Sequence, residues 1–354
     1  MPNHASTTHN PTSPSPWGEE MGCVERVRRA LHFGTPDRMP LVFRSDRARS
    51  DIIGVGYGPP RGWVAPEPDV DEWGNRWANI IGSGLGQIVY EPLAEPGDLD
   101  GFVFPDPHAP GRFDDLERDM AVWSGRYTSA GLGLSGFTRL MALRGYLNLM
   151  CDLHWEPAFV RDMAARVFAW EAEVIAEYAR RGIHGIWLAD DLGTEHGTMM
   201  HPDTWREFLL PHYAAQARQV HALGMDYLLH SCGDVWDIIP DLIDLGFDLL
   251  NLEQPLLFST PTQDGIDRLA ETFGGRVCFC TNVDSQRTLI SGTRAQVIAE
   301  AEYIVRALAR PEGGLIPLAD CGQDQRIVPL GNIAAMAETF WRLAHAQRSG
   351  ASGR

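Results

Sequence analysis

From residue 157 onward the chain alternates short apolar runs with longer amphipathic stretches, joined by brief connections. The spacing predicts a helix over 157–181, a strand at 185–190 and a helix over 202–223. A buried strand then leads through Tyr227, Leu228 and Leu229 to His230 and Cys232, and Gly233 closes it. Helices over 235–245, 262–273, 293–308 and 331–346 separate strands at 248–253, 276–281 and 315–319. Such alternation implies a parallel sheet covered by helices. Five clear units, with room for three earlier ones, predict an α/β fold: an eight-stranded (β/α)8 TIM barrel with an irregular insertion in its N-terminal half. An open doubly wound sheet is the competing architecture. No Gly-rich phosphate fingerprint follows the first strand to support it.

The earlier part is less regular. A helix is expected over 19–33 and a first strand at 39–43. Residues 50–125 are rich in Gly, Pro and Trp and show little periodicity. Within them, 71–77 and 86–92 read as a hairpin or an excursion over a binding face, or as a folded insertion with no such role. Residues 1–18 read as a disordered tail, 19–347 as one barrel domain and 348–354 as a flexible C-terminus. The net charge of −17 argues against nucleic acid and anionic membrane surfaces as partners. No apolar run approaches the ~20 residues that span a bilayer, and residues 4–16 lack the apolar core of a signal peptide. Six scattered cysteines suggest a reducing cytoplasm rather than a disulfide framework.

His230 and Cys232 are two apart in a strand, so both project to one face near its C-terminal end. Cys321 ends another apolar run far downstream. One His and two Cys make a zinc shell with a fourth position open to chemistry. The alternative is a buried histidine with two inert core thiols. Other polar residues fall at predicted strand ends, where barrels of this kind carry their active sites: Asp190, Asp191, Glu253, Thr281 and Asn282. Asp190 and Asp191 are candidates to orient substrate, position a proton or support the metal ligands; helix capping and salt bridging are the alternative. Cys278 and Cys280 read as small core residues. Arg44 and Arg47 are candidates for a carboxylate, or for surface salt bridges.

These motifs carry a resemblance over nearly all of residues 20–345. Its carriers include Thr35-Pro-Asp-Arg-Met-Pro40, Asp71-Glu-Trp-Gly74, Ala189-Asp-Asp-Leu-Gly193 and Leu229-His-Ser-Cys-Gly-Asp-Val235. Leu249-Leu-Asn-Leu-Glu-Gln-Pro255, Thr281-Asn-Val-Asp284 and the stretch from Gly313 to Cys321 complete it. The chain resembles the uroporphyrinogen decarboxylase-like superfamily and, within it, the zinc-dependent corrinoid methyltransferases. The resemblance implies an eight-stranded barrel with zinc on His230, Cys232 and Cys321. It also implies methyl transfer between a corrinoid protein and a small acceptor such as a thiol or folate. The decarboxylase's own Arg-containing signature is reduced here to Phe43-Arg-Ser-Asp-Arg47.

No Asp-x-His-x-x-Gly signature for a corrinoid lower ligand is present; Asp152-Leu-His154 runs into Trp155-Glu-Pro157. The corrinoid is therefore expected on a separate partner protein. Glu253 ends the strand after the one bearing His230 and Cys232. In that respect the chain is similar to cobalamin-independent methionine synthase, and Glu253 is expected as a fourth, displaceable zinc ligand. Two other functions stay open. One is a decarboxylase of a tetrapyrrole or related carboxylate; the other is a non-catalytic, corrinoid-protein-binding barrel with structural zinc.

Overall fold

A computed structural model describes residues 21–79, 86–320 and 327–346. The expected tail, the C-terminal segment and Cys321 lie outside the described residues. The sheet is six-stranded and wholly parallel, with sequence neighbours paired in order. Its strands are β1 (Ile52–Gly56), β2 (Tyr127–Leu134), β3 (Gly185–Ala189), β4 (Asp226–Ser231), β5 (Leu249–Leu252) and β6 (Cys278–Cys280).

Eight strands were expected, and two of those, at 39–43 and 315–319, do not form as strands. They contribute isolated parallel bridges instead, Val42 to Leu318 and Phe279 to Leu315. Each segment carries a proline at its centre or near it, Pro40 and Pro317. Proline has no N–H to give a ladder, so continuous pairing breaks there. The bonds that survive still run from β6 to the 315–319 segment and on to Val42. Ile316 N donates to Phe279 O at 2.9 Å, and Val42 N donates to Pro317 O at 3.0 Å.

β1 lies at the start of the stretch that shows little periodicity, and β2 follows its end. Gly54, Gly56, Gly131 and Gly133 replace the side chains that would have marked their alternation. The expected hairpin forms between Arg76–Ala78 and Gln87–Tyr90. The helix expected over 202–223 divides into Pro202–Phe208 and Leu210–Ala222. Pro211 accounts for the break, because its ring meets the carbonyl of residue 207 and it lacks the helical N–H. No helix among the described residues is long and apolar enough to cross a membrane.

The strand period of two sorts side chains into two cores. Leu229, Leu250 and Phe279 point outward and join the large cluster between sheet and helices. Leu228, Leu249, Cys278 and Cys280 point inward and pack with Val42, Ile52, Tyr127 and Leu318. Val27, Ala30 and Leu31, on the helix Cys23–Leu31, close this inner cluster at the strands' N-terminal end. Beside them a buried ion network anchors the helix. Arg26 pairs with Asp51 at 2.9 Å and with Asp37 at 2.6 Å, and Arg38 pairs with Asp51 at 2.8 Å. Continuing the same inward alternation past Leu228 brings His230, then Cys232, to the C-terminal rim.

Candidate metal centre

Register places three inward residues side by side: His230 is opposite Ala189 on β3 and opposite Asn251 on β5. Asn251 is fully buried and its Nδ2 donates to the Cys280 carbonyl at 2.9 Å. That bond turns the amide oxygen toward His230, whose Nδ1 lies 2.7 Å from it. Nδ1–H therefore donates to Asn251 Oδ1, and in the neutral ring Nε2 keeps its lone pair. An outer partner of this kind fixes both the tautomer and the orientation of a metal-binding histidine.

His230 Nε2 lies 3.6 Å from Cys232 Sγ and 3.7 Å from Asp191 Oδ1. Donor atoms of Asp191, His230 and Cys232 all fall within 4.8 Å of one another. The same Asp191 oxygen accepts the Cys232 backbone N–H at 2.9 Å, which ties the carboxylate to the thiol's own backbone. Burial pushes the Cys232 thiol well above its ordinary value, and the Asp191 and Glu253 carboxylates push it further. A thiol hemmed in by carboxylates ionises when a cation joins them. One imidazole, one thiol and one carboxylate within this span form a donor set that suits zinc.

The turn after Cys232 is held by close backbone packing. Gly233 has φ +80, and a Cβ there would run into the backbone of Gly193. Gly233 N donates to Gln254 Oε1 at 2.7 Å, and Asp234 N donates to Thr194 O at 2.6 Å.

The two adjacent aspartates separate. Asp190 is fully buried and receives Phe137 N at 3.1 Å, Thr138 N at 2.8 Å and Thr138 Oγ1 at 2.9 Å. Tyr213 O–H donates to it as well. Burial pushes this carboxyl up to about 6 despite those donors. Its oxygens are thus engaged at the start of the helix Gly136–Arg144, while Asp191 turns toward His230. Thr138 Oγ1 also accepts the Asp191 N–H at 2.9 Å, so the buried anchor positions its neighbour.

Glu253 receives Asn282 Nδ2 at 3.2 Å and does not join the Asp191–His230–Cys232 group. Cys278 and Cys280 are fully buried core thiols. Arg47 is taken by Asp119 at 2.8 Å. Arg44, by contrast, makes no hydrogen bond or ion pair among the described residues. It lines a cavity of about 380 Å³ with Val42, Ile52, Trp187 and Leu318. Asn251 and Gln254 are site residues that sequence reasoning left without a role, because only strand register reveals what lies beside His230 and Cys232.

Comparison with known proteins places this architecture. The model of the family described as Uroporphyrinogen decarboxylase (URO-D) matches residues 118–342, more than half of the chain. The chain belongs to the uroporphyrinogen decarboxylase family. Among curated proteins it is similar to "Methylcobamide:CoM methyltransferase MtaA" of Methanosarcina barkeri, at 29% identity over 204 residues, 55% of each chain. A protein of the same name from M. barkeri strain Fusaro matches at 25% over 204 residues. The chain thus spans about half the length of the curated relatives it matches. A solved methyltransferase from Methanosarcina mazei shares the fold, with a TM-score of 0.70 and 17% identity. That alignment covers 91% of this chain and 100% of the other.

Proposed function

We propose that this protein is a zinc-dependent methyltransferase that moves a methyl group between a corrinoid carried on a separate protein and a small acceptor. The observation that carries the reading is the convergence of His230 Nε2, Cys232 Sγ and Asp191 Oδ1, with the imidazole fixed by Asn251. The names of the curated relatives favour the same chemistry over decarboxylation. Zinc would be held by His230 and Cys232 together with Cys321. Asp191 is proposed as the resting carboxylate donor, and Glu253 as the displaceable fourth ligand's alternative source. When bound, zinc would keep an acceptor thiol ionised and nucleophilic near neutral pH.

The chain's own residues supply orientation. Asn251 sets the His230 ring, and Asp191 holds Cys232 through its backbone N–H. Asp190, bound to Thr138, holds Asp191 from behind. The cavity beside Arg44 has room for a small acceptor, with the guanidinium placed for an acidic group on it. We read the scaffold as an eight-stranded barrel in which 39–43 and 315–319 are the remaining staves, supported by their parallel bridges. A reducing cytoplasm, in which its thiols stay free, is the proposed setting.

The test is methylcobalamin demethylation by purified protein, followed through the corrinoid's visible spectrum. Loss of the methyl–cobalt bond should need both zinc and a thiol, and should fall to background in Cys232→Ser. Corrinoid-protein binding without turnover, or uroporphyrinogen decarboxylation by chelator-treated protein, would count against the reading.

A further inference from the structure

A second group of donors lies at the other end of β4. Asp226 opens that strand and Cys232 follows its last residue, so ~20 Å of strand separates the two groups at ~3.3 Å per residue. Four residues from four elements meet there. Asp226 begins β4 and Asp248 precedes β5. His32 caps the helix Cys23–Leu31, and His221 sits in the last turn of the helix Leu210–Ala222.

The contacts are close. His32 Nε2 lies 2.8 Å from Asp226 Oδ1, and its Nδ1 lies 3.6 Å from Asp248 Oδ1. His221 Nε2 lies 3.0 Å from Asp248 Oδ2. Donor atoms of His32, Asp226 and Asp248 all fall within 4.8 Å of one another. Both carboxylates are held from behind by groups that leave an oxygen facing the histidines. Tyr127 O–H donates to Asp226 Oδ2 at 2.7 Å, and Tyr227 N donates to Asp248 Oδ2 at 2.8 Å. Asp248 Oδ1 accepts no hydrogen bond among the described residues.

The Asp226 and Asp248 side chains are only 8% and 16% exposed. Arg28 reaches Asp226 Oδ2 only at 3.8 Å, from a side chain 42% exposed. The two carboxylates thus form a mostly buried group with one distant guanidinium beside it, open to solvent along half-exposed His32 and His221. We propose that His32, Asp226 and Asp248 form a second divalent-metal site, with His221 holding Asp248 from outside. Its mixed imidazole and carboxylate donors suit zinc, cobalt(II) or nickel(II) rather than magnesium or calcium. Occupancy ties the N-terminal helix to the first residues of two core strands, and takes no part in methyl transfer.

The test uses tag-free, full-length protein carrying His230→Ala and Cys232→Ser, which disable the centre at the rim. After chelator treatment and dialysis against zinc, this protein should retain about one zinc per chain and melt at a higher temperature with the metal than without. Loaded with cobalt(II), it should show visible d–d absorption and no thiolate charge-transfer band. Adding His32→Ala should weaken binding by more than the ~10–100-fold typical of an outer-sphere loss. Asp248→Asn should act likewise while circular dichroism stays native. Arg28→Ala should leave binding equal or tighter, because it removes the competing cation. Absence of retained zinc, zinc that survives both ligand substitutions, or loss of zinc in Arg28→Ala would each overturn the site. These outcomes leave the methyltransferase reading untouched.

Discussion

Replacing Asn251 separates metal binding from folding. The side chain makes two bonds with distinct consequences: Oδ1 accepts from His230 Nδ1 at 2.7 Å, and Nδ2 donates to Cys280 O at 2.9 Å. Asn251→Leu removes both. Losing the outer partner of a ligating histidine costs ~10–100-fold in metal affinity, or about 1.4–2.7 kcal/mol. Leaving buried polar partners unsatisfied adds about 1–3 kcal/mol of lost stability each. Asn251→Asp divides the two effects. Its carboxylate still accepts from His230 but donates nothing to the Cys280 carbonyl. The expectation is a crossed pattern in which both variants are destabilised in urea, while only Asn251→Leu loses affinity for zinc. Affinity is read by competition with a chromophoric chelator at a denaturant-free, fully folded baseline. Equal affinity in wild type and Asn251→Leu, or equal loss in both variants, would refute the assigned role of the His230–Asn251 bond.

Asp51 is fully buried between Arg38 and Arg26; burial alone would raise its carboxyl, but those two charges hold it below the usual range. A depressed folded value means that this contribution to stability is present above the unfolded value and is lost as pH falls through the folded one. Asp51→Asn should therefore cost about 3–5 kcal/mol near neutral pH, by removing the buried carboxylate that Arg26 and Arg38 share. The deficit should narrow in acid, as read from urea midpoints across pH. Asp191→Asn and Glu253→Gln divide the proposed carboxylate roles. Asp191→Asn should weaken zinc binding in the absence of substrate more than Glu253→Gln does, and the reverse order in a chelator competition would return the resting ligand to Glu253.

His230 and Cys232 were legible because a strand's period of two is local: the spacing alone put them on one face, and Gly233 marked where the strand turns. Asn251 was not, although it lies in a quoted motif, because its role depends on the lateral pairing of β4 with β5. Asp190 and Asp191 show a similar limit. Both follow one strand, yet one is drawn into the wall by Thr138 and Tyr213 while the other faces the rim. Nothing in the pair itself says which. β1 and β2 escaped notice because their glycines erase alternation where the chain lines a cavity. The expected strands at 39–43 and 315–319 failed as strands because Pro40 and Pro317 remove ladder donors from otherwise strand-like runs. His32 and His221 drew no attention because the elements that bring them to Asp226 and Asp248 are far apart in the chain.

The central claim is that the rim centre holds zinc through sulfur and nitrogen. Zinc-edge X-ray absorption on His32→Ala protein, in which only that centre is expected to remain loaded, tests it most directly. A mixed shell should appear, with sulfur at about 2.3 Å and nitrogen or oxygen near 2.0–2.2 Å. The sulfur contribution should fall in Cys232→Ser, and fall again when Cys321→Ser is added. A sulfur-free shell in the His32→Ala protein, or a sulfur contribution unchanged by Cys232→Ser, would contradict the account.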